Sequence, residues 1–142
     1  MESIALTLAQ AAFLAGRHFA TIATLDEDGA PRQAVVWYRL EPDGRILLNS
    51  RHPRRWPRNL LRDARIAIAI PDVADGLRWL GFTGVVDEVI EDLDRARDDI
   101  VMLDRRYSED GSVDPETEAT FRSQQRITFL VRLTGIHDHL EG

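Results

Sequence analysis

Apolar and polar positions change period several times along the chain. Leu6, Leu8, Ala11, Ala12, Leu14 and Ala15 recur at helical spacing, with Thr7 placed as a cap and Gly16 near the end, which predicts a helix from Leu6 to Arg17. Phe19 to Leu25 and Arg32 to Leu40 read as strands joined by Asp26-Glu27-Asp28-Gly29, a turn with the Asp-Gly hairpin signature. Glu41-Pro42-Asp43-Gly44 is a second such turn, leading into a strand from Arg45 to Asn49, so the three strands are expected as one antiparallel meander. Pro57 suits the first position of a short helix carrying Arg58, Leu60, Leu61 and Arg62. Arg65 to Ile70 alternates Ile with Ala, a pattern for a barrel interior. Leu77 to Ile90 is a long strand in which Gly81 and Gly84 mark a bulge, a bend or a close backbone approach. Glu91 to Arg106 is a helix with acids early and Arg105-Arg106 late, matching the macrodipole, and with Leu93, Ala96, Ile100 and Leu103 facing inward. A polar loop, a helical turn over Pro115 to Phe121 and a last strand from Arg126 to Leu133 follow, and the tail GIHDHLEG is expected as a surface segment. Six strands in mostly antiparallel order with two or three helices predict one mainly β domain over 1–142, a small closed or split β-barrel.

Composition narrows the chemistry. There is no cysteine, hence no disulfide, thiolate nucleophile or cysteine-ligated metal. All 18 basic side chains are arginine, which removes a lysine Schiff base and a P-loop. No apolar run approaches the ~18 residues of a membrane span, and the first residues lack the basic head of a signal peptide, so a cytoplasmic location without membrane association is expected. The net charge of −6 is uneven: residues 45–65 hold seven arginines and one acid, whereas 87–118 hold thirteen acids and four arginines. An acidic protein with one basic patch is poorly suited to nucleic acid and better suited to one small anionic ligand. The plainer alternative is a solvated helix face salt-bridged to the acidic segment.

That patch lies in a strand, basic turn, helix, strand unit from Ile46 to Ile70. Asn49 and Ser50 end the strand, Arg51, Arg54 and Arg55 fill the turn, and the helix start adds unpaired N–H groups. Guanidinium forks match phosphate oxygens in pairs. This arrangement points to the phosphate of a flavin-type cofactor.

The chain resembles the pyridoxamine-phosphate-oxidase-like split β-barrels, which bind flavin mononucleotide (FMN) or the deazaflavin F420. The resemblance rests on Phe19 to Thr24, Asp28 to Pro31, Val35 to Tyr38, Ile46 to Ser50, Arg54-Arg55, Arg58 to Arg65, Gly84 to Val86, Arg106-Tyr107 and Arg126-Ile127. It implies a six-stranded antiparallel split barrel in which Asn49, Ser50 and the following turn hold the phosphate and ribityl chain. Arg54 and Arg55 match the phosphate-binding positions, and the backbone from Val35 to Trp37 lies along the ring. It implies a homodimer with two sites at its interface. Where the family often has a lysine after the paired basic residues, this chain has Trp56; Arg51 or Arg58 replaces the lost charge, or the indole stacks on the ring. The pattern is closer to the F420-dependent reductase branch, because the longer C-terminal substrate-binding segment of the true oxidases is not evident, with FMN as the alternative.

Flavin-type cofactors carry the hydride chemistry themselves, so no acid–base residue is required of the protein. The reading is an F420- or FMN-dependent oxidoreductase acting on a small-molecule substrate, with a non-catalytic flavin- or haem-binding store or sensor as the alternative and a single-stranded nucleic-acid binder as a third. Trp37 and Trp79 are candidates to line or stack on the ring, against ordinary core or interface aromatics. Arg58 serves the cofactor or pairs with Asp63 or the acidic helix. His52 lies in the basic turn. His137 and His139 point the same way in an extended tail but lack a third metal ligand.

Overall fold

The structure is a computed structural model describing residues 3–141. Four helices, α1 (Leu8–Leu14), α2 (Arg55–Arg62), α3 (Leu93–Tyr107) and α4 (Pro115–Ser123), flank seven strands: β1 (Ala20–Leu25), β2 (Pro31–Val36), β3 (Arg39–Leu40), β4 (Ile46–Arg51), β5 (Arg65–Pro71), β6 (Trp79–Ile90) and β7 (Arg126–His139). The strands form one antiparallel sheet in the order β2-β1-β5-β6-β7-β4-β3. It curls into a split barrel.

Period-two patterning builds the interior. Ala20, Ile22 and Thr24 of β1 and Ile66, Ile68 and Ile70 of β5 point inward, with the alternate residues turned outward. β4 is buried on both faces, because α3 covers its outer side: Leu47 packs with Ile100, Leu103 and Leu130 in a small second core. Ala96, Ile100 and Leu103 face inward as expected, whereas Leu93 is 37% exposed at the start of α3.

Three further expectations, on the sheet, the start of α2 and the tail, are corrected. The stretch from Arg32 to Leu40 is two strands, so the sheet has seven rather than six, and the three-strand meander is instead two hairpins at opposite ends of the sheet. The break falls at Trp37-Tyr38. Tyr38 is fully buried, with its hydroxyl 2.8 Å from the Leu14 carbonyl and 3.2 Å from that of Gly16. Val36 and Arg39 are three residues apart on opposite edges of the sheet, and three extended residues reach only about 10 Å. The edges therefore curl toward each other, which makes the barrel. Second, α2 starts at Arg55, with Arg54 as its N-cap, so Pro57 occupies its third position and is buried. Third, the tail is not a loose surface segment. β7 continues to His139, with Trp79 opposite His139 and Gly81 opposite His137, because the twelve-residue β6 offers a partner edge along its whole length.

The bulge expected near the β6 glycines sits between Thr83 and Gly84. A Cβ on Gly84 would lie 2.7 Å from Val131 Cγ1 and 3.1 Å from the Arg132 carbonyl oxygen, so close backbone approach excludes a side chain.

α1 has a capping box: the Gln10 amide N–H donates to Thr7 Oγ1 and the Thr7 N–H to Gln10 Oε1. It ends at Leu14 rather than Arg17. Arg106 donates there to the carbonyls of Leu14, Ala15 and Gly16, a cation at the negative end of the helix, and also to that of Tyr38.

Candidate functional site

A cavity of about 860 Å³ lies between the β2 edge, the end of β4 with the turn into α2, and the faces of α3 and α4. The cavity is partly apolar. Ile100, Leu103 and Phe121 line it, and Trp37 stacks on Tyr107 at 5.2 Å, which stacks in turn on Phe19 at 5.6 Å. Five arginines, Arg32, Arg51, Arg54, Arg55 and Arg126, also line the cavity, and among the described residues no acidic side chain does.

β2 forms one wall. Arg32 through Trp37 all line the cavity although alternate side chains point to opposite faces, so the strand edge itself borders the space. An edge strand leaves alternate N–H and C=O groups without a sheet partner, and these are available to a ring that needs in-plane hydrogen bonds.

The arginines differ in what they already hold. Arg32 donates Nε and Nη2 to Asp26 Oδ2 at 3.1 and 2.9 Å, and Arg55 Nη1 lies 3.6 Å from the same oxygen. Among the described residues, Arg51, Arg54 and Arg126 have no carboxylate at ion-pair distance. Arg126 is 5% exposed. It donates Nε and Nη2 to Asn49 Oδ1 at 3.0 and 2.8 Å and Nη1 to Gln124 Oε1 at 2.7 Å, with its guanidinium over the Phe121 ring. Burial, then the like charges of Arg54 and Arg51, hold the Arg126 pKa down to about 10. The first turn of α2, at the cavity rim, has no side-chain cap, so its leading N–H groups add to the positive potential.

Asn49 is fixed by the core behind it. Its Nδ2 donates to the Ala96 carbonyl and to Thr128 Oγ1, both at 2.9 Å, and the Thr128 hydroxyl donates to Asp99 Oδ2 at 2.7 Å. Asp99 also accepts from Arg95 Nε, one turn earlier on α3.

Of the residues singled out in the sequence, Val35, Trp37, Asn49, Arg51, Arg54, Arg55 and Trp56 line this cavity. Trp56 is 7% exposed and packs against Phe129, so its indole is mainly a core group. Arg51, not Arg58, brings charge to the space beside it. Arg58 lies in a neighbouring groove with Asp26, Glu27 and Asp28, and Asp63 pairs with Arg65 instead. The Ser50 side chain is fully buried without a hydrogen-bond partner and does not line the cavity. Trp79 lies elsewhere, stacked on His137 and His139 on the outer face of the sheet. His18 is buried, stacked on Phe13, and its Nδ1 accepts from the Val73 N–H. The sequence reading missed the cavity roles of Arg126, Gln124 and Phe121, and the support that Tyr107 gives Trp37 from behind. Arg126 and Asn49 meet only through the β4–β7 pairing, and the one local signal was an arginine opening a strand whose next five residues are Ile, Thr, Phe, Leu and Val.

By fold the protein is a split β-barrel of the flavin-binding type. Residues 6–131 match the family described as Pyridoxamine 5'-phosphate oxidase, and the chain belongs to that family. Among solved structures, one described as an F420 reductase is 21% identical, with a TM-score of 0.76 over 93% of this chain and 98% of that one. A conserved hypothetical protein from Mycobacterium tuberculosis is 25% identical, with a TM-score of 0.71 over 98% and 89% of the two chains. The Group A Streptococcus protein HupZ is 17% identical, with a TM-score of 0.68 over 97% of each. No curated protein sequence matches the chain. Among the described residues, no helix is long and apolar enough to cross a membrane.

Proposed function

We propose that the cavity binds a phosphorylated flavin-type cofactor, F420 in preference to FMN, and that the protein is an oxidoreductase passing hydride between that cofactor and a small organic acceptor. The observation that carries this reading is a cavity of about 860 Å³ that combines apolar and aromatic lining with three arginines, Arg51, Arg54 and Arg126, that have no carboxylate at ion-pair distance among the described residues. The volume is within the range of small-molecule sites, ~300–1,000 Å³. The donor set fits the group: guanidiniums for phosphate oxygens, a free strand edge for the polar rim of the ring, and Trp37, Ile100 and Leu103 for its faces. When bound, the cofactor supplies the hydride chemistry. The chain's own part is to anchor the phosphate, shield one ring face and leave the other to substrate.

Arg51, Arg54 and Arg126, three cavity arginines without a carboxylate partner, favour the branch whose cofactor has a polyanionic tail. Haem fits less well, because none of the four histidines lines the cavity. A flavin store or sensor needs the same binding groups, and it differs from an enzyme in whether an organic acceptor reoxidises the bound reduced cofactor faster than buffer does. A homodimer with sites at its interface is part of the same proposal, checked by sedimentation.

Titration with each cofactor, followed by absorbance, tests the reading. Arg54→Ala should weaken binding by ~1.5–3 kcal/mol, the value of a charge-assisted hydrogen bond. Arg55→Ala should cost less, because Arg55 already faces Asp26. Wild-type protein that binds neither cofactor ends the proposal; tight FMN binding without F420 binding reverses the preference.

A further inference from the structure

We propose that Arg126 is the buried anion-binding residue of the cavity and Asn49 its positioning residue, the two forming with Arg51 and Arg54 a clamp for the phosphate of a phosphate ester. The inference rests on the reading of the cavity as a phosphorylated-cofactor site, and adds which residues grip and why the grip is prepared in advance.

Register supplies the first argument. Arg51 of β4 and Arg126 of β7 are directly opposite each other in an antiparallel pair, and Asn49 is opposite Thr128 two residues away. Directly opposed side chains share a face and their Cβ atoms lie close, and like charges in that position repel. The turn then brings in Arg54, whose charge also acts on Arg126. Three cations converge with no carboxylate among the cavity-lining residues. An anion between them resolves the arrangement.

The second argument is the choice of amide at position 49. A carboxylate there would pair with Arg126 and cancel its charge. Asn49 instead offers one neutral oxygen to two guanidinium N–H groups. The countercharge is displaced two hydrogen bonds beyond Asn49, through Thr128 to Asp99, where Arg95 already holds it. The amide thus fixes the plane of the fork without satisfying its charge. Its own orientation is fixed because Nδ2 faces two acceptors, the Ala96 carbonyl and Thr128 Oγ1.

Donor capacity supplies the third. A guanidinium has five N–H donors. Asn49 and Gln124 take three from Arg126, leaving two for a ligand. Phe121 covers one face of the fork and burial excludes most water, so those two donors act at low local dielectric.

The test uses the full chain and inorganic phosphate at constant ionic strength, read by calorimetry, with thermal melting in the absence of phosphate as the control for folding. Asn49→Asp is nearly isosteric and places a carboxylate on Arg126. It should fold and lose phosphate affinity by about tenfold or more. The gap from wild type should close as pH falls below the ordinary carboxylate range, because pairing with Arg126 lowers the introduced group's pKa and its protonation then restores a neutral acceptor. A purely structural role for position 49 would lower affinity only in step with the melting temperature, since loss of the Nδ2 donors would then be the whole effect. Arg126→Gln, which keeps a polar side chain among Asn49 and Gln124, should lose affinity at every pH, and carries the test if the first variant does not fold. Both variants binding phosphate like wild type would overturn the proposal. FMN and F420 titrations separate this from the function: wild-type protein that binds phosphate but neither cofactor keeps the clamp and removes the flavin reading. A cofactor bound equally by wild type and both variants keeps the flavin reading and removes the clamp. Binding of neither phosphate nor cofactor removes both.

Discussion

Asp26 sits just outside the cavity and decides which of its arginines are free. Arg32 donates two hydrogen bonds to it, Asn59 Nδ2 donates at 2.9 Å, and Arg55 approaches within 3.6 Å. The Arg32 hydrogen bonds first, then that of Asn59, hold its carboxyl below the ordinary value of 3.8. A depressed folded pKa means that the ionised form stabilises the fold above 3.8, and that this contribution is lost as pH falls through the lower folded value. Asp26→Asn should therefore lower the melting temperature at neutral pH and flatten its fall on acidification. A variant whose melting temperature tracks wild type across that range would show that Asp26 contributes nothing through its charge.

Among the elements, α1 is short and depends on a residue ninety positions away. Arg106 donates four hydrogen bonds to carbonyls, three at the α1 terminus and one at Tyr38, and its guanidinium lies over the Tyr38 and Tyr107 rings. Arg106→Met keeps length and apolar contact while removing the donors, and should cost about 3 kcal/mol. The urea midpoint should fall with an unchanged slope, the signature of lost stability without altered compactness. Local sequence carried the N-terminal half of this story, since Thr7 and Gln10 sit at capping-box spacing. It could not carry the C-terminal half, because nothing near Gly16 announces Arg106. The same limit explains the tail. Gly135 to His139 has little apolar patterning of its own, and it is a strand because β6 is long enough to pair with it. It also explains Arg126: burial of an arginine is a property of the strands and helices around it, not of its neighbours in sequence.

At the level of the whole molecule, the barrel was legible because the interior alternation of β1 and β5, the two Asp-Gly turns and the β6 glycines all follow local rules. The closure was not legible. The stretch from Arg32 to Leu40 reads as one strand, yet the chain leaves one edge of the sheet at Val36 and joins the other at Arg39. The reason is the buried seat of Tyr38 against the end of α1, a contact between residues more than twenty positions apart. The β2 wall of the cavity depends on that detour, since Arg32 through Trp37 border the same space as the arginines that follow β4.

Trp37 and Tyr38 also couple two regions that share no hydrogen-bond ladder. Any molecule that stiffens β2 must draw on a tether only two residues long, so its effect should travel to the opposite lip. Amide hydrogen exchange at Arg39 and Leu40, which do not line the cavity, should slow when cofactor is bound. Identical rates with and without it would mean that the two lips of the barrel breathe independently.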